Sequence, residues 1–258
     1  DSGAGKVKVG HGGTLDPLAS GILPIAFGEA TKTVSWAMDG RKTYLVRMRF
    51  GEARTTDDAE GEVTETSAVR PDDQAIEAVL PRYRGTIQQV PPDYSAIKLG
   101  GQRAYKLARN DQPVALSPRT VEVFRFELVG RPSPDEADLV VECGKGTYIR
   151  SLVRDLARNL GSVAYVAGLR RTQVGPFAEN RAISLAMLEG LGHSPARFEH
   201  LLPVETALDD IPVLAVTEEE ASRLRSGQAL PMLRTGIRDT VPDDQGAALY
   251  LELSTRFA

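Results

Sequence analysis

The 258-residue chain has little of what several common kinds of site require. A single cysteine, Cys143, excludes an internal disulfide and a cysteine-cluster metal site, and it suits a reducing compartment. With three histidines, His11, His193 and His200, a multi-histidine zinc centre is not expected either. No apolar run approaches the length of a membrane span, and the start, Asp1-Ser2-Gly3-Ala4-Gly5-Lys6, has no charged-then-apolar secretory signal. A cytoplasmic protein without a membrane partner is the expectation. The chain does not begin with Met and opens in a polar glycine-rich stretch, so an N-terminally incomplete chain is expected.

What is present is ordinary for a globular protein: 41% hydrophobic and 26% charged residues, enough length to bury a core, and 24 glycines with 16 prolines to shape loops. The formal net charge of -4 argues against a uniformly basic nucleic-acid binder. The charge is nevertheless segregated. Residues 95–131 carry seven basic against three acidic residues and 145–181 seven against two, whereas 182–258 carry six against twelve. The middle of the chain is basic and its end acidic, either as scatter on a solvated surface or as a binding footprint.

Periodicity gives a coarse map. Ile22–Phe27 reads as a short buried strand or extended piece and Glu29–Met38 as a helix. Thr43–Phe50 alternates as a strand, and Gly51–Gly61 is a polar connection. A helix opens at Pro71-Asp72-Asp73, and Gly101–Asn110 is helix-like. Thr120–Val129 and Asp138–Cys143 read as strands, and a helix runs from about Tyr148 to Leu160. Arg150, Arg154 and Arg158 recur every fourth residue on that helix, as a basic stripe. Beyond about residue 209, Thr217-Glu218-Glu219-Glu220 has the form of a capping box, and Ala247–Leu253 reads as a strand. The pattern predicts an α+β fold with a mixed or antiparallel central sheet and flanking helices over residues 1–208, and a small module over 209–258.

Three segments could carry chemistry. Asp16 lies in Gly10-His11-Gly12-Gly13-Thr14-Leu15-Asp16-Pro17, a tight irregular loop. An aspartate there can serve as nucleophile, base or metal ligand, or simply form the turn before a proline. The glycine spacing fits neither a P-loop nor a dinucleotide fingerprint. His11 as a general base would need a nucleophile such as Ser20, which nothing in the sequence orients. In Gly144-Lys145-Gly146-Thr147-Tyr148-Ile149-Arg150, small residues lead into a helix N-terminus, and Arg150 could pair with a carboxylate or a phosphate or be solvated. Tyr44, after Arg41-Lys42-Thr43, reads as a core tyrosine or a site residue.

Together these segments are more specific. Gly10 to Gly21 closely resembles the catalytic loop of the bacterial tRNA pseudouridine-55 synthases, the TruB family. Lys42–Val46 resembles that family's tyrosine-bearing strand, Thr56–Gly61 its acidic connection, and Gln89–Lys98 its Val-Pro-Pro…Tyr-Ser-Ala segment. Cys143–Arg150 and Leu169-Arg170-Arg171 are similar to its later motifs. The resemblance implies the pseudouridine synthase fold, a PUA-like C-terminal module, and isomerisation of uridine-55 in the T-arm of tRNA. It implies Asp16 as the essential residue, and no cofactor or metal, because nothing is oxidised or reduced. His11 would fill the space left by the flipped base. Tyr44 would stack on the base and assist loss of the C5 proton. Tyr148 and Leu169 would hold the nucleotide, and Arg150 would pair with Asp16. Lys98, Arg103, Lys106, Arg109, Arg154, Arg158, Arg170 and Arg171 would meet RNA phosphates. A monomer that needs no protein partner is expected. The family's usual opening strand with its Lys-Pro motif is missing. A non-catalytic tRNA-folding chaperone and a nucleoside glycosidase remain as alternative functions.

Overall fold

The computed structural model describes residues 7–95, 97–99, 102–108, 110, 116–209, 211, 213–228 and 250–253. The chain divides into two compact units, Asp1–Leu201 and Leu202–Ala258.

The first unit opens with strands β1 (Val9–His11), β2 (Ser20–Gly21) and β3 (Ile25–Phe27). β1 and β3 form an antiparallel ribbon. The expected buried strand is therefore only partly so: Ile22 is buried, but Ile25 and Phe27 are exposed on the ribbon. The helix expected over Glu29–Met38 is broken into a 3-10 turn, Gly28–Lys32, and α1 (Val34–Asp39). Thr31 and Thr33 donate their hydroxyls to the carbonyls of Gly28 and Ala30, a local alternative to a continuous helical ladder.

The long strand β4 (Lys42–Phe50) follows, with every second side chain buried. The polar connection contains a small hairpin of β5 (Glu52–Arg54) and β6 (Val63–Thr66). Asp72 caps α2 (Asp73–Val79) by accepting from the amide of Ala75. β7 (Gly85–Gln89) is an edge strand. A short hairpin of β8 (Lys98–Leu99) and β9 (Gln102–Arg103) leads into α3 (Ala104–Ala108), so the helix-like segment at 101–110 is helical only in its centre. β10 (Arg119–Ser133) and β11 (Glu136–Cys143) form a long hairpin. α4 (Ile149–Asn159) and β12 (Ala164–Val174) come next, then β13 (Phe177–Ala178) and α5 (Leu185–Leu191).

The central sheet runs β13-β12-β4-β11-β10-β7, antiparallel throughout, with β2 added in parallel beside β12. The fold is thus α+β with a mixed sheet, as expected. One sheet face supplies Tyr44, Val46, Met48 and Phe50 from β4, Leu139 and Val141 from β11, and Val166 and Leu169 from β12. Ile149, Leu152, Val153 and Leu156 of α4 complete this core. Their i, i+3, i+4, i+7 spacing puts one apolar stripe against the sheet.

In the second unit β14 (Val213–Val216) pairs in parallel with β15 (Tyr250–Leu253), and α6 (Glu218–Arg225) lies between them in sequence. Thr217 and Glu220 form the expected capping box. Residues 247–249 of the expected final strand lie outside the described residues. Among the described residues, no helix is long and apolar enough to cross a membrane.

Two measurements check this packing. Leu152→Ala, at a site 1% exposed, should lower the unfolding free energy by about 2–5 kcal/mol, whereas Leu185→Ala, at a site 79% exposed, should change it by about 0.5 kcal/mol or less in urea titrations. Burial pushes the Cys143 thiol up to about 12. The native protein should therefore resist thiol reagents at neutral pH and react once unfolded.

Candidate active site

The glycine loop is built on the sheet rather than hung from it. Gly12 donates to the carbonyl of Pro24 at 2.8 Å and closes the loop's neck. Gly13 and Gly21 hold φ values of 108° and 101°, which side chains rarely tolerate. Gly21 also lies so close to β12 that a Cβ would stand 2.1 Å from the carbonyl oxygen of Arg171. Within the loop the amide of Ala19 donates to the carbonyl of Asp16 at 2.9 Å, a turn that presents the Asp16 side chain with about a third of its surface exposed.

Arg150 meets this carboxylate from the first turn of α4. Its Nε donates to Asp16 Oδ2 at 2.8 Å and its Nη2 to Asp16 Oδ1 at 3.1 Å, a two-pronged ion pair. The guanidinium side chain is 6% exposed and uses its other edges inside the protein. It donates to the carbonyls of Thr56 at 2.9 Å and Tyr94 at 3.1 Å, and Asp58 Oδ2 lies 3.6 Å from Nη1. Asp58 is itself held by the hydroxyl of Thr56 at 2.5 Å and the amide of Glu60 at 3.0 Å. One buried cation therefore joins the glycine loop, the Thr56–Gly61 turn and the Tyr94 segment.

Two tyrosines lie within reach of the charge of Asp16. Tyr44 is buried on β4, and burial, with Cys143 beside it, pushes its phenol up to about 12 against the opposing pull of Arg171. Its hydroxyl is protonated across the neutral range. Tyr148 is the N-cap residue of α4 and half-buried. Its phenol is raised by burial, with Arg119 the first opposing influence. The charge of Asp16 acts on both phenols. Gln89 fixes the Tyr148 backbone, donating from Nε2 to its carbonyl at 3.1 Å and accepting from its amide at 2.8 Å. Leu169 is buried on β12 opposite Val46, two residues along β4 from Tyr44 and on the same face.

Asp16, Arg150, Tyr44, Tyr148 and Leu169 thus converge on one region. His11 does not join the ion-pair network: it stands exposed at the end of the β1–β3 ribbon, opposite Ile25. The phosphate candidates separate. Arg170 is exposed, bonded to Glu179 at 2.6 Å, and Arg158 is exposed on α4. Arg154 is largely buried and tied to Asp57 and Asp155, both at 2.9 Å, and to the carbonyl of Val90. The basic stripe on α4 is consequently an internal clamp at two of its three positions.

Arg171 corrects the expectation outright. It is 1% exposed and donates to the carbonyls of Ile22, Gly13 and Thr14, so no phosphate can reach it here. Its strand neighbour at the same ladder position is Tyr44, which turns it inward. Lys98, Arg103 and Lys106 lie on the β8–β9 hairpin and α3, and Arg109 lies outside the described residues.

Asp58, Gln89 and Arg119 were not anticipated as site residues. The first two sit inside segments whose resemblance was visible, Thr56–Gly61 and Gln89–Lys98, yet their partners are distant in sequence. Arg119, exposed on the first residue of β10 opposite Gln89, carried no sequence signal. Among the described residues, no cluster of three or more histidine, cysteine or acidic residues could hold a metal ion.

A buried carboxylate–guanidinium network holds one acidic side chain, about a third exposed, in a fixed orientation, and its charge reaches two phenols. The profile described as "TruB family pseudouridylate synthase (N terminal domain)" matches residues 3–149, and "tRNA pseudouridylate synthase B C-terminal domain" matches 150–209. Proteins named tRNA pseudouridine synthase B are similar over most of the chain. That of Bradyrhizobium diazoefficiens is 57% identical over 86% of this chain and 66% of its own length. Those of Gluconacetobacter diazotrophicus and Rhodospirillum rubrum are 56% and 55% identical, over 92% and 90% of this chain and 77% and 75% of their own lengths. Among solved structures, a chain from a Cbf5–Nop10–Gar1 complex is 29% identical with a TM-score of 0.65, over 86% of this chain and 60% of that one. A chain from an H/ACA ribonucleoprotein bound to a substrate RNA containing 2′-deoxyuridine is 26% identical with a TM-score of 0.64, over 86% of this chain and 59% of that one. The chain belongs to the TruB family of pseudouridylate synthases.

The network makes a stability prediction that needs no substrate. Arg150→Met leaves the Asp58 carboxylate, 4% exposed, without its cation, and should cost about 3–5 kcal/mol in urea unfolding. Adding Asp58→Asn should recover part of that loss, and two simply additive losses would show the pair to be uncoupled.

Proposed function

We propose that this chain isomerises uridine-55 in the T-arm of tRNA to pseudouridine, with Asp16 as the essential group. The observation that carries the reading is the two-pronged Arg150–Asp16 pair in the glycine loop, with the Asp16 charge acting on the phenols of Tyr44 and Tyr148. The reaction breaks the N1–C1′ bond, turns the base over and joins C5 to C1′. The C5 hydrogen leaves as a proton and N1 gains one, so atoms balance without a redox partner.

Each residue has a physical part in this chemistry. A base within a folded RNA loop must be unstacked and turned outward, at a cost of a few kcal/mol. His11, exposed at the end of β1, would occupy the gap that the base leaves. Tyr44 offers its ring face to the base, and its phenol stays protonated near neutrality. Any help from Tyr44 in accepting the C5 proton must then come from the small phenolate fraction. Tyr148 and Leu169 bound the nucleotide. Arg150 fixes both oxygens of Asp16, so the carboxylate meets the reacting atoms in one orientation. An enclosed site also keeps water from the detached base, which guards against an abasic product.

On the same reading tRNA is the only partner needed, the enzyme works as a cytoplasmic monomer, and residues 209–258 make up a small PUA-like RNA-binding module. Exposed cations such as Arg158, Arg170 and Lys145 would meet RNA phosphates, which position the substrate without reading its sequence.

The test is release of C5 tritium from labelled unmodified tRNA, with the modified position mapped. Asp16→Asn is expected to lower the rate by about 10³-fold or more while tRNA still binds. Undiminished release by that variant, or free uracil as the product, would overturn the proposal. A second expectation concerns charge: tRNA affinity should fall about tenfold or more between 50 and 200 mM salt despite the protein's net charge of -4. A flat response would remove the phosphate contacts from the account.

A further inference from the structure

We propose that Arg171 is a positioning residue that clamps both limbs of the Asp16 loop to β12, beside the strand that carries Tyr44. The inference rests on the reading of Asp16 as the reactive group. Arg171 is the bulkiest of the fully buried side chains, and among the described residues it pairs with no carboxylate. A buried charge with no carboxylate partner is costly even where carbonyl oxygens and the Tyr44 phenol accept from it, and an aliphatic residue would fill the same space without that cost. What a guanidinium adds is a planar set of N–H donors at fixed angles.

Those donors point at both sides of the loop. Nη2 and Nη1 reach the carbonyls of Gly13 at 3.0 Å and Thr14 at 3.4 Å on the incoming limb. Nε reaches the carbonyl of Ile22 at 2.8 Å on the outgoing limb. Asp16 lies between these anchor points. The backbone reinforces the side chain, because the amide of Ile22 donates to the carbonyl of Arg171 at 2.7 Å. β2 and β12 align Gly21 with Arg171, and β12 and β4 align Arg171 with Tyr44. Arg171 thus stands between the loop and Tyr44, and its charge acts on the Tyr44 phenol. A lysine in its place would keep the charge but could not span three acceptors on two limbs with one ammonium group.

The test compares wild type, Arg171→Lys, Arg171→Met and Asp16→Asn. For each, the single-turnover rate of tritium release, the tRNA dissociation constant with its salt dependence, and the urea midpoint are measured. Rates are normalised to the folded fraction. Arg171→Lys, the milder change, keeps the test open if Arg171→Met fails to fold. The expected result is a loss of at least about tenfold in rate for Arg171→Lys, with tRNA affinity and its salt slope unchanged within about threefold. A lysine variant with the wild-type rate overturns the inference, as does one that loses only stability. Weaker binding with a salt slope smaller by about one would make Arg171 a phosphate contact and overturn it too. If Asp16→Asn retains activity, the underlying reading has failed, and that result is distinct from any effect at Arg171.

Discussion

The structure depends on a single guanidinium taken out of water. Arg150 is buried where α4 begins, and its planar donors leave few geometries in which every N–H finds an acceptor. Satisfying it brings together segments separated by 56 to 134 positions along the chain. The price of burying the charge is met twice over, by Asp16 on the open side and Asp58 on the closed side. Such an arrangement is poor at maximising stability and good at fixing direction. The outer carboxylate is left with one permitted orientation and one face toward solvent.

A second layer supports the first. Arg154 repeats the theme one helical turn further along α4, joined to Asp57, whose φ of 59° is the only positive value outside glycine among the described residues. That unusual backbone lets the Asp57 carbonyl accept from the amide of Val166 at 3.0 Å while the side chain turns toward α4. The acidic turn is therefore tied to α4 by side chains and to β12 by backbone bonds. Neighbouring arginines on one helix do two related jobs, and neither is free to act as a surface charge.

Much of this was legible in the sequence. Alternation along Thr43–Phe50 and the i, i+3, i+4 apolar pattern of Ile149–Leu160 located the sheet centre and the helix that carries Arg150. The glycine and proline pattern located the Asp16 loop, and the likeness of several ordered motifs supplied roles that the residues alone left open. The failures share a cause. Ala164–Val174 was not read as a strand because Gly168, Arg170 and Arg171 interrupt its apolar pattern, and sequence gives no hint that Arg171 turns inward to carbonyl partners. Arg154 looked like part of a solvated stripe because its acidic partner Asp57 lies 97 positions away. Helical spacing reports which side chains share a face; it is silent on whether that face meets water or a buried carboxylate. The Glu29–Met38 segment failed for a local reason, because threonine hydroxyls took the carbonyls that a longer helix would have used.

The amide of Tyr148 has a consequence of its own. α4 begins without a side-chain cap of its own, and the carboxamide of Gln89 takes that role from the outermost strand, 59 positions upstream. A helix normally frays from its end independently of distant elements. Here the fraying of that end and the peeling of β7 are one event, so the tyrosine and the arginine two residues later inherit the steadiness of a sheet margin rather than the looseness of a helix tip.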